Sequence, residues 1–342
     1  MMENDRYRLL SAYYRKMFGH PVYKLPLDGG FTCPTRDGTK GTGGCIFCSS
    51  QGSGESCQSS LLSLSEQIDR MIRQRREALT HSRHSVDGSI PAARRDEVYI
   101  GYLQAFSNTY APASVLREKY LEILSHPDIA GLSAATRPDC FSEDIYQVFA
   151  SIAASYPVFV ELGLQTANDQ TADLIGRGYP LAVFDDCVGK LSGIGVHVVV
   201  HLILGLPGET EQDWYRTIEH INGLPVEGVK FHLLCLLRGS RLAEPENAGL
   251  YQPLSEEDYF HGLAGCLARL RPDLVIHRLT GDAPAELLAA PAWSADKGRV
   301  LNAFRHYLKI HEIRQGMLYT ETVTNESDRK DDRNGFRSGN TL

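Results

Sequence analysis

Three of the eight cysteines lie close together near the start of the chain, and their spacing suits a metal centre. Cys33, Cys45 and Cys48 fall within sixteen residues, and the last two form a Cys-x-x-Cys pair. The interval between Cys33 and Cys45 holds four glycines, which tolerate positive φ and close backbone approach. Such a loop can wrap around a compact object. Three thiolates without an obvious fourth ligand favour a [4Fe–4S] cluster with one iron open to a small molecule.

Two other chemistries fit the same cysteines. A Cys-x-x-Cys pair in a cytosolic protein is often a zinc site or a redox dithiol. Cys57 could supply a fourth sulfur and complete a closed tetrahedral zinc site. Spacing by itself therefore leaves the iron–sulfur cluster, zinc and thiol chemistry open. The remaining cysteines are scattered, and we expect most of them to be buried structural thiols: Cys140, Cys187, Cys235 and Cys266.

Apolar runs of strand length alternate with segments of helical periodicity along the chain. The predicted strands are Val22–Leu27, Val98–Leu103, Gly131–Ala135, Val158–Leu164, Val196–Leu204, Val229–Leu234 and Leu274–Ile276. The predicted helices are Leu9–Met17, Leu61–Leu79, Ala113–Ser125, Ser142–Ser155, Asn168–Ile175, Ala182–Leu191, Glu211–Ile221 and Glu256–Leu270. Strand then helix, repeated about every thirty to forty residues, is the signature of parallel βαβ units. Periodicity alone does not distinguish an open sheet from a barrel.

The cysteine loop resembles that of radical S-adenosylmethionine (SAM) enzymes, and in particular that of the YhcC/YtqA family, which is related to the elongator catalytic subunit. The similarity continues in order over about residues 20 to 310. Its further motifs are Tyr102–Pro112, Ala135–Cys140, Glu161–Ala167, His201–Glu209, Lys230–Leu234, Arg278–Asp282 and Ala290–Lys297. One departure is Ala135, which stands where the elongator relative has a glutamate before its Thr-Arg-Pro motif.

The resemblance implies an α/β fold, the partial (β/α)6 TIM-like barrel of radical SAM enzymes with a small C-terminal extension. We expect an N-terminal extension over residues 1–20, the core barrel over 21–272 and the C-terminal extension over 273–320. Residues 321–342 are too polar to bury a core, so we expect a disordered tail there.

The resemblance also implies that Cys33, Cys45 and Cys48 hold a [4Fe–4S] cluster and that SAM binds its open iron. Active groups of such barrels lie at the carboxyl ends of the strands, and polar residues follow the predicted strands at those points. The expected SAM contacts are Phe47, Gln104, Ser107, Asn108, Thr136, Gln165, Arg177, His201 and Leu206. The sequence does not identify a residue that acts on the substrate.

Several of these contacts have a structural alternative. Phe47 packs against adenine or is simply buried. Gln165 and Arg177 lie twelve residues apart, as in the oxygen-independent coproporphyrinogen oxidase, where the arginine takes the SAM carboxylate; otherwise Arg177 is a cation at a helix C-terminus. His201 binds the ribose or is a hydrogen-bonded core residue. The turn that contains Leu206 presents backbone groups to the adenine edge or only leads into a helix.

Composition bounds the location and the partners of the protein. A net charge of −7 argues against a generally basic surface. The chain has no apolar run of about 18 residues, as a membrane span requires, and no apolar leader. We therefore expect a cytoplasmic protein with reduced thiols. The arginines between Arg70 and Arg95 form either a local RNA-binding patch or a solvated helix face followed by a loop.

The implied activity is reductive cleavage of SAM to a 5′-deoxyadenosyl radical, with an electron donor such as flavodoxin or ferredoxin. Resemblance to the YtqA side of the family implies tRNA wobble-uridine modification, from carboxymethylaminomethyl to aminomethyl uridine. A small-molecule or peptide substrate is the alternative within the enzyme class, and a zinc-knuckle RNA-binding module is the alternative outside it. Four C-terminal residues suit either an anionic, base-bearing substrate or a barrel-closing salt-bridge cluster: Arg278, Asp282, Trp293 and Lys297.

Overall fold

Seven parallel strands form the main sheet of the computed structural model, which describes residues 6–81, 96–281 and 283–321. The strands are β1 (Val22–Leu27), β2 (Val98–Leu103), β3 (Ile129–Thr136), β4 (Val158–Gln165), β5 (His197–Leu204), β6 (Gly228–Leu233) and β8 (Val275–Arg278). They lie side by side in chain order, as successive βαβ units produce. A separate antiparallel pair consists of β7 (Leu236–Leu237) and β9 (Leu288–Ala290).

The helices that connect the strands follow the sequence prediction closely. They are α1 (Leu10–Phe18), α2 (Leu64–Thr80), α3 (Ala113–Ser125), α4 (Glu143–Ala153), α5 (Asp169–Leu174), α6 (Leu181–Gly193), α7 (Glu211–Asn222), α8 (Glu256–Arg269) and α9 (Lys297–Ile310). Helix α2 begins later than predicted because Ser63 and Glu66 form a reciprocal capping box, which satisfies two free N–H groups at the helix start. Helix α9 was not predicted as a helix.

The two faces of the sheet differ in chemistry. On the outer face, alternate aliphatic side chains of each strand belong to the core that also contains the helices, as Val160 and Leu162 of β4 do. The inner face of β4 instead carries Phe159 and Glu161. Tyr14 of α1 packs on Phe159 with ring centroids 5.5 Å apart, so the amino-terminal end of the inner face is apolar. The next layer toward the carboxyl ends, which begins with Glu161, is polar and buried.

Contacts across the inner face show that the sheet is strongly curved. Lys230 Nζ of β6 lies 3.3 Å from the Tyr102 hydroxyl of β2, although three strands separate them in the sheet. In a flat sheet, strands four positions apart would be separated by about 19 Å at ~4.8 Å per strand. In the described part of the chain the edge strands β1 and β8 do not pair with each other. The sheet is therefore a curled partial barrel, as predicted, and its seventh strand, β8, corresponds to the predicted strand Leu274–Ile276.

Within the described ranges, no helix is both long and apolar enough to cross a membrane. The predicted disordered tail lies outside the described residues except for its first residue.

Candidate functional site

The three clustered cysteines line one cavity at the carboxyl ends of the strands. The cavity has a volume of about 180 Å³, and Cys33, Cys45 and Cys48 all border it. The amide of Cys48 donates to the carbonyl of Cys45, a tight turn that brings the last two cysteines together. Cys33 Sγ lies 3.0 Å from Ser107 Oγ, in the loop that follows β2. The structure therefore brings the three predicted ligands to one place.

The thiols of Cys45 and Cys48 titrate as a pair. Their mutual hydrogen bond lowers the pKa of Cys45 to about 7 against the effect of burial, with help from Arg137 and Arg36. The same hydrogen bond, together with burial, raises the pKa of Cys48. A thiol must lose its proton to bind a metal, so both sulfurs would bind as thiolates.

The fourth candidate ligand, Cys57, lies outside this cavity. Its amide donates to the Gly54 carbonyl, and burial raises the pKa of its thiol to about 12. Zinc bonds sulfur at about 2.3 Å, which requires sulfurs within roughly 4 Å of one another. Over residues 6–81, 96–281 and 283–321, no three histidine, cysteine or carboxylate side chains converge in a way that could hold one metal ion.

A second cavity of about 500 Å³ adjoins the first and shares part of its wall. Seven of the nine predicted SAM contacts border one or both cavities: Phe47, Gln104, Ser107, Thr136, Gln165, Arg177 and His201. Pockets for small ligands have volumes of roughly 300–1,000 Å³, so the larger cavity has room for a nucleoside-sized molecule beside the cysteines.

Two predicted contacts, Asn108 and Leu206, border neither cavity, and their contact with SAM stays a prediction. The Asn108 amide donates to the carbonyls of Leu103, Ala105 and Ala135, so it holds the loop after β2 against β3. The Leu206 side chain is buried in an apolar cluster against which Phe47 packs. The prediction for Leu206 concerns the backbone groups of its turn and not its side chain.

Arg177 is buried, and most of its donors are already used. Its guanidinium donates to the carbonyls of Tyr179, Leu164 and Thr166 and to Asp169 Oδ1. These four bonds leave one of the five N–H groups of an arginine for a ligand. Arg177 therefore stabilises the loop between β4 and α6, and a contact with the SAM carboxylate stays a prediction.

Gln165 ends β4 in an unusual backbone conformation. Its φ is +67°, a region that non-glycine residues enter at a cost of about 1–3 kcal/mol and that is frequent at functional sites. A Cβ at Gly163 would lie 2.7 Å from Gln165 Nε2, so the side chain folds back over this glycine. Glycine at position 163 thus permits the orientation that places Gln165 on the wall of both cavities.

A buried charge centre, which the sequence analysis did not identify as a site, forms part of the wall of the smaller cavity. Glu161 Oε1 lies 2.5 Å from Lys24 Nζ and accepts from Ser133 Oγ at 3.0 Å. Its Oε2 accepts from Lys230 Nζ and lies 2.8 Å from His201 Nε2. The sequence did contain a signal for this centre, namely single charged residues within otherwise apolar strands. Charged side chains are almost never fully buried unless they are paired.

The centre perturbs the protonation of its members. Burial raises the pKa of Glu161, but ion pairing with Lys230 and Lys24 outweighs it and holds that pKa well below the usual range. Burial lowers the pKa of Lys230 to about 7; Glu161 opposes this shift, and Lys24 and Arg278 favour it. The pKa of Lys24 is raised because its pairing with Glu161 overcomes burial. Glu161 is therefore ionised at neutral pH.

The described arginines of the predicted basic patch lie away from both cavities. Arg75 forms a two-pronged ion pair with Glu97, just before β2, and Arg76 pairs with Asp128, just before β3. Glu97 and Asp128 both precede strands. The part of α2 that carries Arg75 and Arg76 therefore lies at the amino ends of the strands, at the opposite end of the sheet from the cysteines. Residues 82–95 of the patch lie outside the described residues.

Of the four C-terminal residues that the sequence suggested for substrate binding, one lines the cavities and another packs against a neighbouring aromatic ring. Arg278 borders both cavities, whereas Trp293 donates to the Leu254 carbonyl and packs on Tyr259. Lys297 begins α9, and Asp282 lies outside the described residues.

Comparisons with known proteins agree with this architecture. The chain matches the family described as Radical SAM superfamily over residues 38–221 and that described as Radical_SAM C-terminal domain over residues 226–310. It is 38% identical to protein YtqA of Bacillus subtilis (strain 168), over 92% of this chain and 93% of that protein. It is 32% identical to protein YhcC of Escherichia coli (strain K12), over 89% of this chain and 92% of that protein.

Two more distant similarities concern archaeal proteins. The structure of Elp3 from Methanocaldococcus infernus, with residues 1–46 deleted, matches with a TM-score of 0.62 and 15% identity, over 86% of this chain and 64% of that one. At this identity the match shows a common fold. A tRNA uridine(34) acetyltransferase of Methanocaldococcus jannaschii is 24% identical over 62% of this chain and 39% of its own length.

Proposed function

The chain belongs to the radical SAM superfamily, and from that premise we propose that it uses a [4Fe–4S] cluster and SAM to modify the wobble uridine of tRNA. The proposed conversion is from carboxymethylaminomethyl to aminomethyl uridine. The observation that carries the enzymatic part is the junction of two cavities. One is bordered by three cysteines, and the other has the size of a nucleoside site.

Cys33, Cys45 and Cys48 would hold the cluster, and among the residues that the structure describes no fourth cysteine borders their cavity. The cofactors of the superfamily, once bound, supply a 5′-deoxyadenosyl radical that takes hydrogen from an unactivated carbon. The chain itself binds and orients the reactants and keeps water away from them. Ser107 supports this role, because its hydroxyl fixes the position of Cys33 Sγ.

Phe47, Gln104, Gln165 and His201 border both cavities and are the proposed contacts for the nucleoside part of SAM. Phe47 offers an apolar ring for the base. Gln104 donates from Nε2 to the Ser53 carbonyl at 2.6 Å, which leaves its amide oxygen for a ligand. Thr136 borders the smaller cavity with the cysteines, although its hydroxyl is shared with Thr109 at 2.7 Å.

The test of the cluster compares two cysteine variants under anaerobic reconstitution. Wild-type protein should carry about four irons per chain and release 5′-deoxyadenosine from SAM in the presence of dithionite. Cys48→Ala should lose both properties. Cys57→Ala is the matched control and should keep both, because Cys57 lies outside the cavity. Equal loss in the two variants, with one tetrahedral metal in the wild type, would instead support the zinc-knuckle module.

The tRNA part of the proposal is supported by the wobble-uridine acetyltransferase among the relatives and by the resemblance to YtqA. Nucleoside mass spectrometry of tRNA from a deletion strain tests it. Carboxymethylaminomethyl uridine should accumulate at the wobble position, and aminomethyl uridine should disappear. Flavodoxin or ferredoxin is the proposed electron donor, and replacing dithionite by either protein should sustain release of 5′-deoxyadenosine.

A small-molecule or peptide substrate is the second candidate. One observation favours it: two described arginines of the predicted RNA-binding patch, Arg75 and Arg76, form ion pairs at the amino ends of the strands, at the opposite end of the sheet from the cysteines. An unchanged wobble uridine in the deletion strain, together with active cleavage of SAM, would select this candidate.

A further inference from the structure

His201 borders both cavities but makes a hydrogen bond through only one ring nitrogen. Its Nε2 lies 2.8 Å from Glu161 Oε2. Its Nδ1 has no hydrogen-bond partner among the described residues, and it is not one of the fully buried unpartnered atoms. The ring therefore turns Nε2 toward the interior of the sheet and leaves Nδ1 accessible from the cavity.

The partner of Nε2 determines the tautomer of this imidazole. Glu161 is fully buried, and its two oxygens accept from Lys24, Ser133, Lys230 and His201. An ionised carboxylate can only accept hydrogen bonds, so the proton shared with Glu161 resides on Nε2. In a neutral ring Nδ1 then carries a lone pair and can only accept.

The surroundings also keep the His201 ring neutral. Burial lowers the pKa of His201 to about 4. The positive charges of Lys230 and Arg278 lower this pKa further, whereas the hydrogen bond and the charge of Glu161 raise it. The titratable groups that face this centre come from α1 and from β1, β2, β4, β5, β6 and β8: Tyr14, Lys24, Tyr102, Glu161, His201, Lys230, His232, His277 and Arg278. Cations outnumber carboxylates in this set, which disfavours another positive charge.

A second imidazole lies beside the first. The rings of His201 and His232 are 5.1 Å apart, and both border the two cavities. His232 Nε2 is buried and has no hydrogen-bond partner in the described structure, which carries a cost unless a ligand or water supplies one. Burial and the neighbouring His201 lower the pKa of His232 well below its usual value, so this ring is neutral too.

We propose that Glu161 is a positioning residue that fixes the Nε2–H tautomer of His201, so that His201 Nδ1 accepts a hydrogen bond from a hydroxyl group of the bound sugar. This inference rests on the proposed SAM site and deepens it, because it states which atom of His201 acts and with which polarity.

The tautomer is tested directly by ¹⁵N NMR of the full chain labelled at histidine. The signals of His201 are assigned by their loss in His201→Gln. They should show a neutral ring protonated at Nε2 at pH 7 and should remain neutral at pH 5. Glu161→Gln should mix the two tautomers, because an amide can offer either a carbonyl or an NH₂ group to Nε2. An Nδ1–H tautomer or an imidazolium in the wild type overturns the proposal.

The ligand contact is tested by anaerobic calorimetry on the cluster-loaded protein, with SAM and its 2′-deoxy and 3′-deoxy analogues. His201→Leu removes both ring nitrogens and therefore the acceptor, so it should weaken SAM binding about tenfold. On the wild type, one of the two deoxy analogues should bind about tenfold more weakly than SAM, and on His201→Leu the same analogue should bind less than about twofold more weakly than SAM. Equal losses of affinity on both proteins refute the contact. His220→Leu is the matched control, since His220 pairs with Asp185 at 2.8 Å and borders neither cavity, and it should bind SAM like wild type.

Failure of this inference and failure of the proposed function give different results. A protein that binds no SAM at all overturns the ligand contact and the proposed function together. A protein that cleaves SAM but shows the other His201 tautomer overturns only the role of Glu161.

Discussion

Replacing Glu161 by glutamine tests how much the buried charge centre on the inner face of the barrel contributes to stability. The substitution keeps the size of the side chain and removes its charge. Glu161 has no exposed side-chain surface, and the side chains of Lys24 and Lys230 are only 16% and 8% exposed. In Glu161→Gln both lysine side chains stay in a poorly solvated place without a counter-ion.

The expected loss follows from this burial. Removing one partner of a buried ion pair costs about 3–5 kcal/mol, because the remaining charge is left uncompensated. Domains are stable by roughly 5–15 kcal/mol, so the variant should lose a large fraction of its free energy of unfolding. Glu161→Gln/Lys230→Met should recover part of the loss, because only Lys24 then lacks its counter-ion.

Urea unfolding, followed by the fluorescence of the two tryptophans, measures these differences. The denaturant midpoint should fall while the slope m stays the same. Asp185→Asn removes a partly exposed pair with His220 and should cost less than about 1 kcal/mol. A loss below 1 kcal/mol in Glu161→Gln, or a double variant less stable than the single one, would refute the reasoning.

The same centre predicts how stability depends on pH. The folded-state pKa of Glu161 lies below its ordinary value of 4.5, so the unfolded state binds the proton more readily. Its stabilising contribution is therefore complete above pH 4.5 and is lost as the pH falls through the folded-state pKa. The stability gap between wild type and Glu161→Gln should narrow on acidification. A gap that widens below pH 4.5 contradicts the assigned sign.

Two glycines offer further tests. Gly163→Ala would place a Cβ 2.7 Å from Gln165 Nε2. This variant should bind SAM about tenfold more weakly, and its free energy of unfolding should change by no more than about 1 kcal/mol. Gly189→Ala is the control, because its Cβ would lie in open space, and it should bind SAM like wild type. Equal calorimetric affinities of the two variants would contradict the role of Gln165. Gly101→Ala would place a Cβ 2.2 Å from Ile123 Cγ2 and should cost about 1–3 kcal/mol by overpacking. Ile123→Ala in the same chain should recover part of this cost in urea unfolding, and strict additivity of the two substitutions would speak against the clash.

Sequence patterns were sufficient for the order of the elements. Each of the seven strands of the main sheet was predicted within a few residues, because apolar runs and helical periodicity are local properties of the chain. The resemblance chose the curled barrel over an open sheet, which periodicity could not do. Helix α9 escaped prediction although its buried residues Val300, Phe304 and Leu308 have helical spacing, a signal that was present in the sequence.

The cysteine site was also largely determined by local sequence. Cys45 and Cys48 are adjacent in one turn, and glycines allow the loop to bring Cys33 to the same cavity. The place of a single side chain is harder to predict from the sequence where its donors have partners elsewhere in the fold. Asn108 and Leu206 border neither cavity. Hydrogen bonds from a buried polar group depend on which carbonyls the fold places nearby, and that cannot be read from spacing.

Only the tertiary structure decided the composition of the charge centre. Lys24 and Glu161 lie 137 residues apart in the chain, and Lys230 lies 69 residues from Glu161. Each of them is a single charged residue in an apolar strand, and no sequence signal pairs them. Curvature of the sheet brings their side chains together on the inner face, where a charge is stable only beside a partner of opposite sign. The sequence by itself therefore determined the strands and the cysteine loop, whereas the curvature of the folded sheet determined which charged side chains meet on its inner face.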